Sequence, residues 1–214
     1  MRINRVARRF LVVTIWTTVM VTGSVAGLDD GLVAYWPLDF CGDDIQGGHH
    51  LSLLGNPQFG LGDHRGAIQL NGTTQYAQAD GYVYSEFPMT VSCRVYLDPS
   101  WSGPRYVIAN LDHVAEPRGW ALAIGGDPGE RKIRFWLGNG IWEMTGPALS
   151  TGTWHDVVIT VDATPNAIMY VDCVPSPPVA FPESAPPQDP AVKFTVGARW
   201  SGELHFVVHP GFPG

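Results

Sequence analysis

Asp39, Asp43 and Asp44 crowd one short stretch, and Gly42, Gly47 and Gly48 let the chain bend around them. Calcium takes oxygen ligands from carboxylates and from carbonyls in tight turns. A calcium ion, if bound, is therefore expected in this loop. The alternative is three solvated turn carboxylates, which any polar loop carries. His49 and His50 follow, but neighbours on an extended chain point to opposite faces and do not converge on a metal. A second chemistry is stacking, because the apolar face of a sugar ring suits an exposed aromatic ring. Trp101, beside Ser100, Ser102 and Gly103, and Trp142, beside Glu143, are the candidate ligand-binding residues. Trp36, Trp120 and Trp154 fit core packing better. Hydrolysis is the third. Cleaving a glycosidic bond with retention needs two carboxyls about 5 Å apart. Here Glu86, Glu116, Glu130, Glu143, Glu183 and Glu203 are scattered singly, with no pair at strand spacing. Neither a G-x-S-x-G elbow nor a P-loop is found. Trp154-His155-Asp156 holds acid and base types, but alternation splits them between faces. No catalytic residue is assigned, and the chain is read as not an enzyme.

The elements that must position these residues are strands. Leu32–Leu38, Met89–Leu97, Trp154–Val161 and Ile168–Val171 alternate apolar and polar residues, which is the strand period. Shorter runs at 51–54, 67–70, 75–79, 106–111, 120–124, 133–137, 141–144 and 192–196 are separated by Gly, Pro, Asn and Asp. Leu204–Val208 is one more candidate. Residues 56–65 read as a loop. Asn71-Gly72 predicts a hairpin between the runs at 67–70 and 75–79. Pro175–Pro190 carries seven prolines, so it cannot be a central strand and must be a long loop or hug an edge. No stretch of normal length has helical periodicity. Eleven or so strands in one antiparallel domain must split into two packed sheets. Alternation then points Val33, Tyr35, Val91, Val95, Val157, Ile159 and Val161 inward. Cys93 shares that inward phase, where it packs as a small hydrophobe. Cys41 and Cys173 lie in predicted turns; a bridge between them and two free thiols both satisfy the sequence.

Residues 1–26 are read as a signal peptide. Arg2, Arg5, Arg8 and Arg9 precede an apolar run from Phe10 to Val21, and Ser24-Val25-Ala26 supplies small residues for cleavage. The run is shorter than the roughly 20 apolar residues needed to span a bilayer, so no membrane span is expected after cleavage. Removing four of the 13 basic residues and none of the 20 acidic ones moves the formal net charge from −7 to −11. An acidic chain without a basic stripe excludes nucleic acid as a natural partner. Secreted, periplasmic or cell-surface placement follows. About 188 residues suffice for one all-β domain, 27–214.

In order along the chain stand Leu32-Val-Ala-Tyr-Trp-Pro-Leu-Asp39, Gly66-Ala-Ile-Gln-Leu-Asn-Gly72 with Tyr76, Met89-Thr-Val-Ser92 with Val95 and Pro99, Trp154-His155 with Val157 and Asp162, and Tyr170-Val-Asp172. Together these phrases resemble the laminin G-like domains of the concanavalin A-like lectin and glucanase superfamily, in the form common in exported bacterial proteins. The resemblance spans Leu32 to about Gly197. It implies a two-sheet antiparallel β-sandwich, a jelly roll of the concanavalin A type. It also implies one calcium, held partly by Asp39 and by Asp43 or Asp44. Cys173 stands where the family hairpin carries Gly, so that turn is expected to be different or strained. After Trp200 the family's closing strand is missing or unrecognisable. The leading expectation is an exported, non-catalytic recognition module that binds a glycan or an extracellular protein surface. The alternatives are a degenerate or truncated glycoside-hydrolase-like enzyme, and a structural adhesion module without a small ligand.

Overall fold

The structure, a computed structural model, describes residues 31–63, 65–79, 87–100, 105–112, 118–125, 130–138, 142–182, 193–199 and 205–206. The signal-peptide reading, Trp101 and residues 183–190 lie outside them. The chain divides into two compact units, Met1–Leu32 and Val33–Gly214. Of the first only Gly31 and Leu32 are described.

The second unit is built from strands alone among the described residues: β1 (Ser52–Leu54), β2 (Gln58–Leu61), β3 (Gly66–Gln69), β4 (Tyr76–Ala79), β5 (Met89–Tyr96), β6 (Arg105–Asp112), β7 (Arg118–Ile124), β8 (Lys132–Leu137), β9 (Trp142–Ala148), β10 (Trp154–Val161), β11 (Asn166–Val171), β12 (Val174–Pro175), β13 (Val179–Ala180), β14 (Phe194–Val196), β15 (Ala198–Arg199) and β16 (His205–Phe206). Seven form one antiparallel sheet in the order β1-β4-β14-β6-β7-β8-β9. A second sheet runs β12-β11-β10-β5, with β13 also on β11, and β2-β3 and β15-β16 are separate pairs.

Register decides which side chains meet. Ala77, Val196, Ile108, Leu122, Phe135 and Met144 stand abreast across the large sheet. All belong to or pack on one core that also takes in Val95, Val157, Ile159, Val161 and Met169 from the second sheet. That shared core makes the two sheets a sandwich. Each fully buried side chain of this kind contributes about 1.5–3 kcal/mol. Gly146 of β9 leaves no room toward the second sheet: a Cβ there would strike Met169 Sδ of β11 and lie 2.7 Å from Ile133 Cγ2 of β8.

Five expectations change. Residues 33–38 are extended but join no ladder among the described residues. Their phase is also opposite to the one read from sequence. Ala34, Trp36 and Leu38 pack on the core, while Val33 and Tyr35 are 38% and 49% exposed. Trp36 decides the phase: its ring stacks on Phe194 at 4.7 Å and its Nε1–H donates to His49 O at 2.7 Å. With the indole stacked and its N–H satisfied, Ala34 and Leu38 follow Trp36 inward. Next, 58–61 is a strand rather than a loop, and β3 pairs with it instead of with β4. Asn71 Oδ1 accepts from the amides of Thr73, Thr74 and Gln75. It folds a loop that carries the chain from the small pair to the large sheet, where a hairpin would have kept both runs together. Finally, Trp154 faces outward from the second sheet rather than into the core, because His155, Val157, Ile159 and Val161 take the inner phase.

The described part of the proline-rich run, to Pro182, hugs an edge, one of the two forms expected of it. β12 and β13 lie along β11, and Phe181, 6% exposed, closes the core behind them. Among the described residues no helix is long and apolar enough to cross a membrane.

Candidate functional site

The opening loop is organised by Asp44, which is 4% exposed. Its Oδ1 accepts the amides of Tyr35 (2.8 Å) and Gln46 (2.9 Å), and its Oδ2 those of Gly47 (3.1 Å) and His49 (2.9 Å). Burial pushes this carboxyl up, but the four amides outweigh it and hold the group at about 2, against an ordinary 3.8. The other two aspartates turn elsewhere. Asp39 Oδ1 accepts from Gly66 N–H at 3.2 Å, with Arg65 3.7 Å from Oδ2. Asp43 takes the Cys41 thiol at 3.2 Å and lies 3.5 Å from His50 Nδ1. Calcium wants about six to eight oxygen ligands. Here one carboxylate is filled by N–H donors that would face a cation with the wrong polarity. The three carboxylates, as arranged, do not fit the ion. Among the described residues no three His, Cys, Asp or Glu side chains are grouped to hold any metal.

The cysteines are all free, Cys41 and Cys173 exposed and Cys93 half-buried. Burial first and the Asp156 charge second push the Cys93 thiol up to about 12. It is a packing residue rather than a nucleophile. Asp172 and Cys173 form the two-residue turn between β11 and β12 with φ of 51° and 66°. Both lie in the left-handed region that a type I′ hairpin requires. The turn is strained rather than different.

His155 carries a constellation the sequence hid. Its Nδ1 lies 2.7 Å from Asp172 Oδ2, and its Nε2 lies 3.1 Å from Ser150 Oγ. Ser150, His155 and Asp172 thus have the spacing of a nucleophile, a base and its orienting acid. One further contact changes what they do. Nε2 is also 3.1 Å from the Ser150 carbonyl oxygen. A carbonyl only accepts, so it competes for the nitrogen that a general base must keep open. Asp172 Oδ1 meanwhile accepts the Asp156 amide at 2.9 Å. The bond from His155 and then this amide hold the Asp172 carboxyl below its ordinary range. The cluster ties the β9–β10 loop and the β11–β12 turn to β10. Its partners lie 5 and 17 residues from His155, on other elements, so alternation within one strand could not find them.

The arrangement with binding chemistry lies on the outer face of the large sheet. Gln78, Thr195, Ala109, Ala121, Trp136 and Glu143 stand abreast there, on the side away from the core. Ala109, Leu111 and Ala121, all fully buried, form a second small core on this side of the sheet, and the half-buried rings of Tyr106 and Trp136 pack against it. Those two rings meet edge to face at 5.5 Å. Trp136 Nε1–H donates to Glu143 Oε2 at 2.9 Å. Glu143 Oε1 accepts from Thr145 Oγ1 at 2.7 Å and from Arg134 Nη1. Arg134 Nη2 donates to Glu130 at 2.8 Å, and Lys132 Nζ reaches the same carboxylate at 3.1 Å. The bonds from Lys132 and Arg134 hold Glu130 below the usual carboxylate range. Of the tryptophans proposed for stacking, Trp142 faces the other way: it pairs with Leu137 and packs on the main core. The outward ring on this hairpin is Trp136.

A second outward ring, Trp154, lies on the other sheet, 5.6 Å from Tyr96. Its face already carries the Arg94 guanidinium at 5.9 Å, itself held by Asp156 at 2.7 Å and Asp63 at 2.9 Å.

Two antiparallel sheets packed on one core, with no helix among the described residues, make the fold an all-β sandwich of the jelly-roll kind. The family model of the concanavalin A-like lectin/glucanases superfamily matches residues 71–208, and the chain belongs to that superfamily. Among curated protein sequences none matches it. Among solved structures it is similar to domain 4 of AbnA, a GH43 extracellular arabinanase from Geobacillus stearothermophilus, in complex with arabinotriose. That likeness has 17% identity and a TM-score of 0.59, over 78% of this chain and 82% of that one. The receptor-binding domain of botulinum neurotoxin type G is similar at 14% identity and a TM-score of 0.51, over 72% of this chain and 42% of the other. Tailspike protein 2 of Escherichia coli O157:H7 bacteriophage CAB120 is similar at 11% identity and a TM-score of 0.51. The chain covers 72% of its own length in that match and spans 23% of the tailspike. At these identities the likenesses speak for the fold.

Proposed function

We propose that this protein is an exported, non-catalytic glycan-binding module whose ligand lies on the outer face of β8 and β9, against Trp136. The observation that carries this reading is the fixing of the Trp136 indole on that face. Glu143 holds its N–H, and Glu143 is itself held by Thr145 and Arg134. A ring fixed before the ligand arrives loses little freedom on binding, and stacking on it removes apolar surface from water. A glycan ligand accords with the arabinotriose complex of the similar arabinanase domain. The carboxylates here suit binding and not hydrolysis. A general acid must keep its proton near neutrality, whereas Glu130 is held low and both Glu130 and Glu143 are bonded to Arg134. The Asp39–Asp44 loop is closed by Asp44 itself, without calcium.

A glycan array probed with the wild type and with Trp136→Ala tests the site. The wild type is retained by at least one glycan and the variant is not, at equal folded content by circular dichroism. Binding that survives Trp136→Ala would move the site elsewhere. For the loop, melting curves with calcium and with chelator superimpose. A calcium-dependent rise abolished by Asp39→Ala would restore the ion.

A further inference from the structure

The charge pairing around Trp136 says which glycans that face can take. Lys132, Arg134 and Trp136 alternate outward along β8, with Ile133, Phe135 and Leu137 inward. Both cations beside the ring are engaged. Glu130 takes Lys132 Nζ and Arg134 Nη2, and Glu143 takes Arg134 Nη1. Two positive charges thus meet two negative ones within one cluster; the Arg134 side chain is 17% exposed, and the more open Lys132, 44% exposed, is paired with Glu130. Its Nε–H has no hydrogen-bond partner among the described residues, but that atom is buried and shows no charge to solvent.

An anionic sugar needs an unpaired cation or a fork of free N–H donors, and a guanidinium already bracketed by two carboxylates supplies neither. The surrounding field adds to this, because the chain's formal net charge is −7 and repels polyanions at low ionic strength. What remains on the face is the half-buried Trp136 ring, and carboxylate oxygens with spare lone pairs to accept from sugar hydroxyls. We infer that the ligand of this face is an uncharged glycan chain, and that Glu130 excludes acidic glycans by keeping Lys132 and Arg134 neutralised. This rests on the Trp136 site proposed above.

The test is affinity electrophoresis of the full chain in gels containing uncharged polymers (arabinan, xylan, mixed-linkage glucan) or anionic ones (polygalacturonate, chondroitin sulfate), at low and high ionic strength. The wild type is expected to be retarded by an uncharged polymer, equally at both ionic strengths, and by neither polyanion. Glu130→Gln removes one carboxylate and frees Lys132, while Arg134 keeps Glu143 as its only carboxylate partner in the cluster. It is expected to be retarded by polyanions at low ionic strength, where the wild type is not, and this retardation is expected to vanish at high salt. Wild-type retention by a polyanion that is lost in Trp136→Ala would overturn the inference and leave the site standing. A folded Glu130→Gln that gains nothing would overturn the part given to Glu130. Retention by no polymer at all would remove the Trp136 site and this inference with it. The salt dependence of the wild type needs no variant and stands even where a substitution unfolds the protein.

Discussion

Asp44 supports a loop where calcium was expected, and its four amide donors make that role measurable. Asparagine has one acceptor oxygen in place of two, so Asp44→Asn leaves buried N–H groups without partners. The cost is about 1–3 kcal/mol in urea unfolding. The pH dependence has a definite sign. A carboxyl held low in the fold contributes stability above its ordinary value and loses it as pH falls through the folded one. For Asp44 that window runs from the ordinary 3.8 down to about 2. Asp162, held at about 2 first by the Asn166 amide, and Asp172, also held low, act in the same direction. The wild type should therefore lose stability as pH drops through this window, and Asp44→Asn should show a shallower acid limb. At the β11–β12 turn, Cys173 occupies a φ of 66° that suits glycine. Cys173→Gly should raise stability by about 1 kcal/mol, read as a higher melting temperature. Turn strain of this kind was expected from the family resemblance, which implies glycine where this chain has Cys173, at a turn that needs positive φ. The aromatic site was not legible in the sequence. Trp136 and Trp142 sit on facing strands of one hairpin, and only the register of Trp136 against Glu143 and Leu137 against Trp142 shows which ring faces out.

Among the elements, long alternating strands were readable and short ones were not. β5, β10 and β11 fall where the alternation put them, since each buries one face of a two-sided sheet. β3 and β4 were misassigned to one hairpin because Asn71-Gly72 is a turn signal in both cases. What differs is the partner, and partners β2 and β1 lie outside the window that local pattern reads. The segment 33–38 has strand alternation without a ladder, so its phase was set by one large residue, Trp36. The fit between the two sheets gives a prediction at this scale. Gly146 leaves no room for a side chain against Met169 and Ile133. Gly146→Val should lower stability by about 1–3 kcal/mol through overpacking, in contrast to Gly152→Ala. At Gly152 the φ of 77° opposes the change, but the nearest contact, Pro99 Cγ, is 3.7 Å away. The first should broaden the unfolding transition by loosening both sheets, and the second should only shift it.

For the molecule as a whole, the sandwich offers two outward aromatic faces, and the account assigns the ligand to one of them. Trp136 packs on a buried cluster with its indole N–H fixed by Glu143, whereas the Trp154 ring is already covered by Arg94. The most direct test is a heteronuclear NMR titration of the wild type with uncharged oligosaccharides, arabinotriose included. Trp136 Nε1–H, Thr145 and Ala121 should shift together and saturably, with Trp154 and Tyr96 unmoved. Saturable shifts confined to Trp154, Tyr96 and Arg94, or none on either sheet for any of the sugars, would contradict the account.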